Sequence, residues 1–116
     1  MKLYRTTNTN AELLIEQLEV ADGFFSRAKG LLGRKKLPGT QALWIKPCRD
    51  IHTFFMNFAI DCVFLDNKMQ IIKIVPNLAP FKIIGPYWKS SSVIELNSGF
   101  TEAKNLKVGD QLYVVN

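Results

Sequence analysis

The chain of 116 residues is 47% hydrophobic and 22% charged, with thirteen aromatic side chains and 15 Lys and Arg against 10 Asp and Glu, a formal charge of +5. That composition suits one domain over residues 1–116, with the polar residues 1–10 expected as a flexible arm, and it excludes global disorder and fibrous or disulfide-stapled classes. No apolar run approaches the ~20 residues that span a bilayer, and Met1 to Asn10 lack the apolar stretch of a signal peptide, so a soluble, cytoplasmic protein is expected.

Between Ala11 and Val20, apolar Leu13, Ile15, Leu18 and Val20 alternate with Glu12, Glu16 and Glu19, a strand pattern that a short helix could also satisfy. Asp22 is placed to cap a helix over 23–33, because Phe24, Phe25, Ala28, Leu31 and Leu32 form one apolar stripe and Gly33 supplies a stop. Pro38-Gly39 marks a loop, and Ala42 to Ile45 read as a buried strand ending before Pro47.

Ile51 to Leu65 contains no Gly or Pro and is almost wholly apolar, and Asn57 and Asp61 suggest a break between two strands. If 51–58 is extended, His52, Phe54, Met56 and Phe58 share one face, and Thr53, Phe55 and Asn57 the other. Ile60 to Leu65 and Met69 to Val75 then form a hairpin about Asp66-Asn67-Lys68. Pro76, Pro80, Gly85 and Pro86 predict one long loop over 76–91. Ser92 to Leu96 reads as a strand, Asn97-Ser98 as the cap of a short helix through Lys104, and Gln111 to Val115 as the last strand. About six strands and one main helix point to a β-rich α+β domain: a single antiparallel sheet, open or barrel-like, with the helix over one side or end.

Several motifs occur together: Arg27-x-x-Gly30-Leu31-Leu32-Gly33-Arg34, the run from Ile51-His52-Thr53-Phe54-Phe55-Met56 through Ile60-Asp61 to Asp66, Val93-Ile94-Glu95-Leu96 with Gly99, and Val108-Gly109-Asp110-x-Leu112. As a set they resemble the uncharacterised family named domain of unknown function 192 over roughly residues 12 to 115. The resemblance implies a small β-rich domain with a helix at the Gly-Leu-Leu-Gly-Arg segment, and no established biochemical role. Many members of that family look exported, so location is not carried over from it.

Seven cations and no acid lie between Gly23 and Arg49, a block that could attract an anionic small molecule, an acidic protein surface or nucleic acid, or simply form a solvated face. Arg34 can hold a carboxylate or phosphate, but its simpler role is to bind helix carbonyls or to pair with Asp61, whose charge would otherwise stand between apolar neighbours. His52, the only histidine, is the natural acid-base candidate, with a hydrogen-bonded core residue as the plainer reading. Cys48 could serve it as a nucleophile, although four extended residues set their Cα atoms about 13 Å apart. Cys62 reads as inert core. One Cys and one His near each other fall short of a zinc set, so neither metal nor cofactor is expected.

These residues favour a non-enzymatic binding or accessory module with a groove built by 48–58 and 76–91, in which Arg34, His52, Thr53, Met56, Asp61, Tyr87 and Trp88 are the ligand-binding candidates. A small hydrolase-like enzyme using Cys48 and His52 is one alternative. Binding of RNA or single-stranded nucleic acid through the basic 27–49 segment is another, disfavoured by the lack of any RNA-recognition signature.

Overall fold

A computed structural model describes residues 1–116. At its centre, every residue of β6 (Ile60–Leu65) is buried, as are five of the six in β9 (Ser92–Asn97). Strands enclosed on both faces read as largely apolar runs, which is the pattern of both segments apart from one buried acid in each, Asp61 and Glu95, and the polar ends of β9. They pair antiparallel, and the sheet continues through β7 (Ile71–Leu78) on one side and through β4 (Gln41–Ile45) and β3 (Gln17–Ala21) on the other, in the order β3-β4-β9-β6-β7. The β6–β7 hairpin closes as the sequence predicts, with Asp66 Oδ1 accepting hydrogen bonds from the backbone N–H groups of Lys68 and Gln70, each at 2.9 Å.

The two faces of this sheet are covered differently. One, carrying Ala42, Val63, Leu65, Ile94 and Leu96, packs on a second sheet of β10 (Leu112–Val115), β1 (Lys2–Thr6) and β2 (Ala11–Ile15), whose Leu3, Leu14, Ile15 and Leu112 enter the same cluster. The other, carrying Leu43, Ile45, Ile60, Cys62, Phe64 and Val93, is covered by Leu31, Leu37 and Met56 from irregular segments and by Ile51 from a two-residue strand. Sheet-on-sheet packing fills space efficiently, whereas crossing loops leave gaps. The candidate site lies in such a gap.

Several expectations are corrected. There are three sheets rather than one, β3 and β4 run parallel, and no barrel closes. Residues 2–6, expected within a flexible arm, form the middle strand of the second sheet. The segment read as a strand or short helix over 11–20 is two strands divided at Glu16. The helix predicted over 23–33 is only α1 (Phe24–Lys29), starts from Gly23 rather than Asp22, and buries none of its residues. Gly30 ends it early at φ 49, ψ −126, a backbone that side chains rarely tolerate. The extended 51–58 segment shrinks to β5 (Ile51–His52), because Phe55 turns the chain at φ 64. Nor is 76–91 one loop: Pro76 to Leu78 complete β7, and β8 (Ile83–Ile84) pairs with β5. Residues after Ser98 form the short α2 (Phe100–Ala103), for which Gly99 is the N-cap. Neither helix is long and apolar enough to cross a membrane.

Candidate functional site

Strand alternation places Glu95 on the loop-covered face, opposite Leu43 on β4 and Cys62 on β6. It is 4% exposed, and no protein group donates a hydrogen bond to its carboxyl. The end of α1 rests directly above it: a Cβ on Gly30 would stand 3.3 Å from Glu95 Oε1. Gly30 therefore combines a backbone only glycine adopts easily with a close approach to the acid. Beside it opens a cavity of about 520 Å³, within the range that accommodates small ligands.

Three segments wall the cavity: 24–32, 45–52 and 86–88, with Met56 and Glu95 completing the lining. The second and third are tied together by Tyr87 N–H donating to the Arg49 carbonyl at 2.8 Å, Cys48 N–H donating to the Ser91 carbonyl at 3.1 Å, and the buried Ser90 hydroxyl donating to the Cys48 carbonyl at 2.8 Å. Gly85 permits this approach, since at φ 91 a Cβ there would lie 2.7 Å from the Arg49 carbonyl oxygen. Arg27, Lys29 and Arg49 bring three cations to the lining, against the acids Asp50 and Glu95. Arg27 Nε is buried without a partner.

Burial pushes the Glu95 carboxyl up from 4.5 to about 7, only partly opposed by the positive charge of Arg34. Burial likewise pushes the Cys48 thiol up to about 11, and its Sγ donates to the Asp50 carbonyl at 3.0 Å. Cys48 is thus a thiol at neutral pH, not a ready nucleophile. Cys62 is fully buried and its thiol is raised well above 9 by the same cause. No cluster of three or more His, Cys, Asp or Glu is arranged to hold a metal ion.

Of the residues singled out in the sequence, Cys48, His52, Met56 and Trp88 meet at this cavity. The others do not. Arg34 pairs with Glu19 at 2.8 Å rather than with Asp61. Asp61 faces the opposite side of the sheet, where Oδ1 accepts from the N–H groups of Asn77 and Gly99 and Oδ2 from the N–H and hydroxyl of Thr101, so it anchors the start of α2. Thr53 is fully buried and ties two loops together. Tyr87 is edge-on to Phe64 at 4.7 Å. Sequence reasoning missed Glu95, although it shows the signal that drew attention to Asp61, an acid inside an apolar strand.

A family model of DUF192, described as Uncharacterized ACR, matches residues 5–114. The chain belongs to the DUF192 family. Among similar proteins, a UPF0127 protein of Pyrococcus abyssi is 34% identical over 101 residues, covering 83% of this chain and 84% of its own. Another, from Pyrococcus horikoshii, is 32% identical over 101 residues, covering 83% and 85%. A crystal structure of a protein of unknown function from Novosphingobium aromaticivorans matches with a TM-score of 0.85 at 18% identity, covering 98% of this chain and 84% of that one, a likeness of fold. DUF192 is a family of unknown function, so the chemistry of the cavity has to carry the functional reading.

Proposed function

We propose that this protein is a binding module whose cavity takes a small anionic molecule with an apolar body and a hydrogen-bond donor at its inner end. The observation that carries the reading is Glu95, a buried carboxyl without a protein donor in the wall of a ligand-sized cavity. A carboxyl withdrawn from bulk water without a protein donor carries a desolvation cost, which a ligand amine, hydroxyl or amide N–H reduces on binding. Leu32, Met56 and Trp88 offer apolar contact, while Arg27, Lys29 and Arg49 favour a negative group at the other end of the ligand.

A hydrolase-like role for Cys48 and His52 gains less support, since both line the cavity but the thiol is protonated near neutrality. Nucleic-acid binding also gains little. The cations of 27–49 are dispersed among separate tasks: Arg34 engages Glu19, Lys46 lies over the Trp44 ring at 4.1 Å, and Arg27 lines the cavity.

Calorimetric titration with matched probes tests the reading. 6-Aminohexanoate and 4-hydroxyphenylpropionate carry the inner donor that hexanoate and phenylpropionate lack. The donor-bearing member of each pair is expected to bind at least about tenfold more tightly, equivalent to about 1.4 kcal/mol, and Glu95→Leu, which removes the acceptor, should erase the difference. Equal affinity within both pairs, or no binding by any probe at about 10 mM, refutes this ligand class. Hydrolysis of 4-nitrophenyl hexanoate, an ester of one probe, to hexanoate and 4-nitrophenol that is lost in Cys48→Ser would replace the module reading with the enzymatic one.

A further inference from the structure

Beside the cavity, the loops following β5 and preceding β8 are locked into one unit by Thr53. Its N–H donates to the Lys82 carbonyl at 2.8 Å, and its carbonyl accepts from Phe81 N–H at 2.9 Å. Its hydroxyl donates to the Ala79 carbonyl at 2.6 Å and accepts from Lys82 N–H at 2.9 Å. This buried knot holds apolar side chains outward: Phe55 is 76% exposed, Phe81 63% and Ile83 66%, with Phe54 more than one-third exposed. They adjoin one another, with ring centroids 6.5 Å apart for Phe54–Phe81 and 6.2 Å for Phe55–Phe81, while His52 stacks on Phe54 and pairs with Ile83 across β5 and β8.

Ordinary packing does not account for this arrangement. Phe55 and Phe81 both stand at φ 64, a left-handed backbone that non-glycine residues adopt at a cost. Two aromatic residues are thus held in strained positions and left in water, a combination that the surrounding hydrogen bonds must enforce. Contiguous exposed apolar side chains of this kind mark an interaction surface.

Charge identifies what it meets. Residues 51–60 and 79–94 contain no Asp or Glu, while Lys82 lies between Phe81 and Ile83 and Lys89 follows the 75% exposed Trp88. We infer that this face docks onto an anionic lipid surface, with Phe54, Phe55, Phe81 and Ile83 entering the interface and Lys82 and Lys89 meeting the headgroups. Aromatic and aliphatic side chains flanked by lysine, with no acid in the two loops and the exposed Asp50 only at their border beside Gly85, match such a surface in both polarity and charge. A second copy would bring like charge against like, because the chain carries +5. Single-stranded nucleic acid stacks successive bases on roughly parallel ring faces, whereas Phe81 lies at 53° to Phe54 and 71° to Phe55, so these rings form no common stacking platform.

This inference is independent of the cavity ligand, and vesicle sedimentation tests it. The full chain should bind phosphatidylcholine vesicles containing phosphatidylglycerol, bind pure phosphatidylcholine more weakly, and lose affinity as salt rises. The double variant Phe55→Ser/Phe81→Ser should lose at least about tenfold in partitioning while retaining its circular-dichroism spectrum, since both side chains are exposed. Lys82→Glu, which leaves the aromatic residues in place, should weaken binding to the anionic vesicles more than to the neutral ones. No partitioning of the parent overturns the inference, as does unchanged partitioning in either variant. A dimer in sedimentation velocity that dissociates in the double variant would also overturn it, in favour of a second copy.

Discussion

Asp61 and Glu95 are buried acids on neighbouring strands of the same sheet, and their surroundings are opposite. Asp61 is fully buried and receives four hydrogen bonds, three from backbone N–H groups and one from the Thr101 hydroxyl. Glu95, facing the other way, receives none from the protein and borders a cavity. Donors aimed at an ionised carboxylate stabilise its charge, while burial without donors disfavours it. One acid therefore organises structure, joining β6 to β7 and α2, and the other is left for something the chain does not supply. The difference follows from the cover of each face: α2 brings its N-terminal N–H groups to Asp61, but the segment above Glu95 ends in Gly30, which has no side chain to offer.

The largest test of this contrast is Asp61→Ala. Removing the acid leaves buried N–H groups at Asn77, Gly99 and Thr101 without their acceptor, and the expected loss is about 3–5 kcal/mol in denaturant unfolding. Asp61→Asn keeps an acceptor oxygen and should lose less. A cost under about 1 kcal/mol for the alanine variant would mean that the anchor is not structural and would dissolve the contrast.

Glu95 should show the reverse behaviour. Its folded-state pKa of about 7 exceeds the ordinary 4.5, so between those values the folded protein binds more protons than the unfolded chain. Stability is then full below pH 4.5 and falls as pH rises through about 7, by on the order of 3 kcal/mol. Glu95→Gln should abolish that decline and be more stable than the parent at pH 8. Chemical denaturation across pH 4 to 9 measures both effects. A parent whose stability rises over the interval 4.5 to 7, beyond what other carboxylates add in the Gln variant, would show that Glu95 has donors after all.

How far the sequence reveals this arrangement depends on the range of the forces involved. Ile60 to Leu65 and its hairpin are legible because local pattern and turn chemistry agree: a run buried on both faces leads into Asp66, which closes its own turn. The stripe of Phe24, Phe25 and Ala28 misleads because periodicity tells which side chains share a face and not whether that face meets the core. Here Phe24 is 72% exposed and Phe25 85%. The turn at Phe55 carries no Gly or Pro to announce it: Met56 N–H closes it locally on the Thr53 carbonyl at 3.2 Å, and hydrogen bonds between Thr53 and residues 79–82 fix its place. Asp61 and Glu95 look alike in the chain because each is an acid among apolar neighbours. Their separation rests on distant partners, Gly99 and Thr101 for the first and Gly30 for the second.

The smallest effect concerns Arg34, which the sequence suggested as the partner of Asp61. Its ion pair with Glu19 joins side chains that are 33% and 57% exposed, so solvent screens it, and Arg34→Ala should cost less than about 1 kcal/mol. The same guanidinium lowers the pKa of Glu95 from a distance, partly opposing the effect of burial. Arg34→Ala is therefore expected to move the Glu95 titration upward, read from the carbon-13 shift of its carboxyl, while the hydrogen-exchange protection of Gly99 and Thr101 N–H, which donate to Asp61, remains unchanged. That outcome sharpens the contrast, because removing one cation would affect the acid without donors and leave the acid with four untouched. Loss of protection at Gly99 and Thr101 would instead show that Arg34 supports Asp61, and that the two faces of the sheet are coupled.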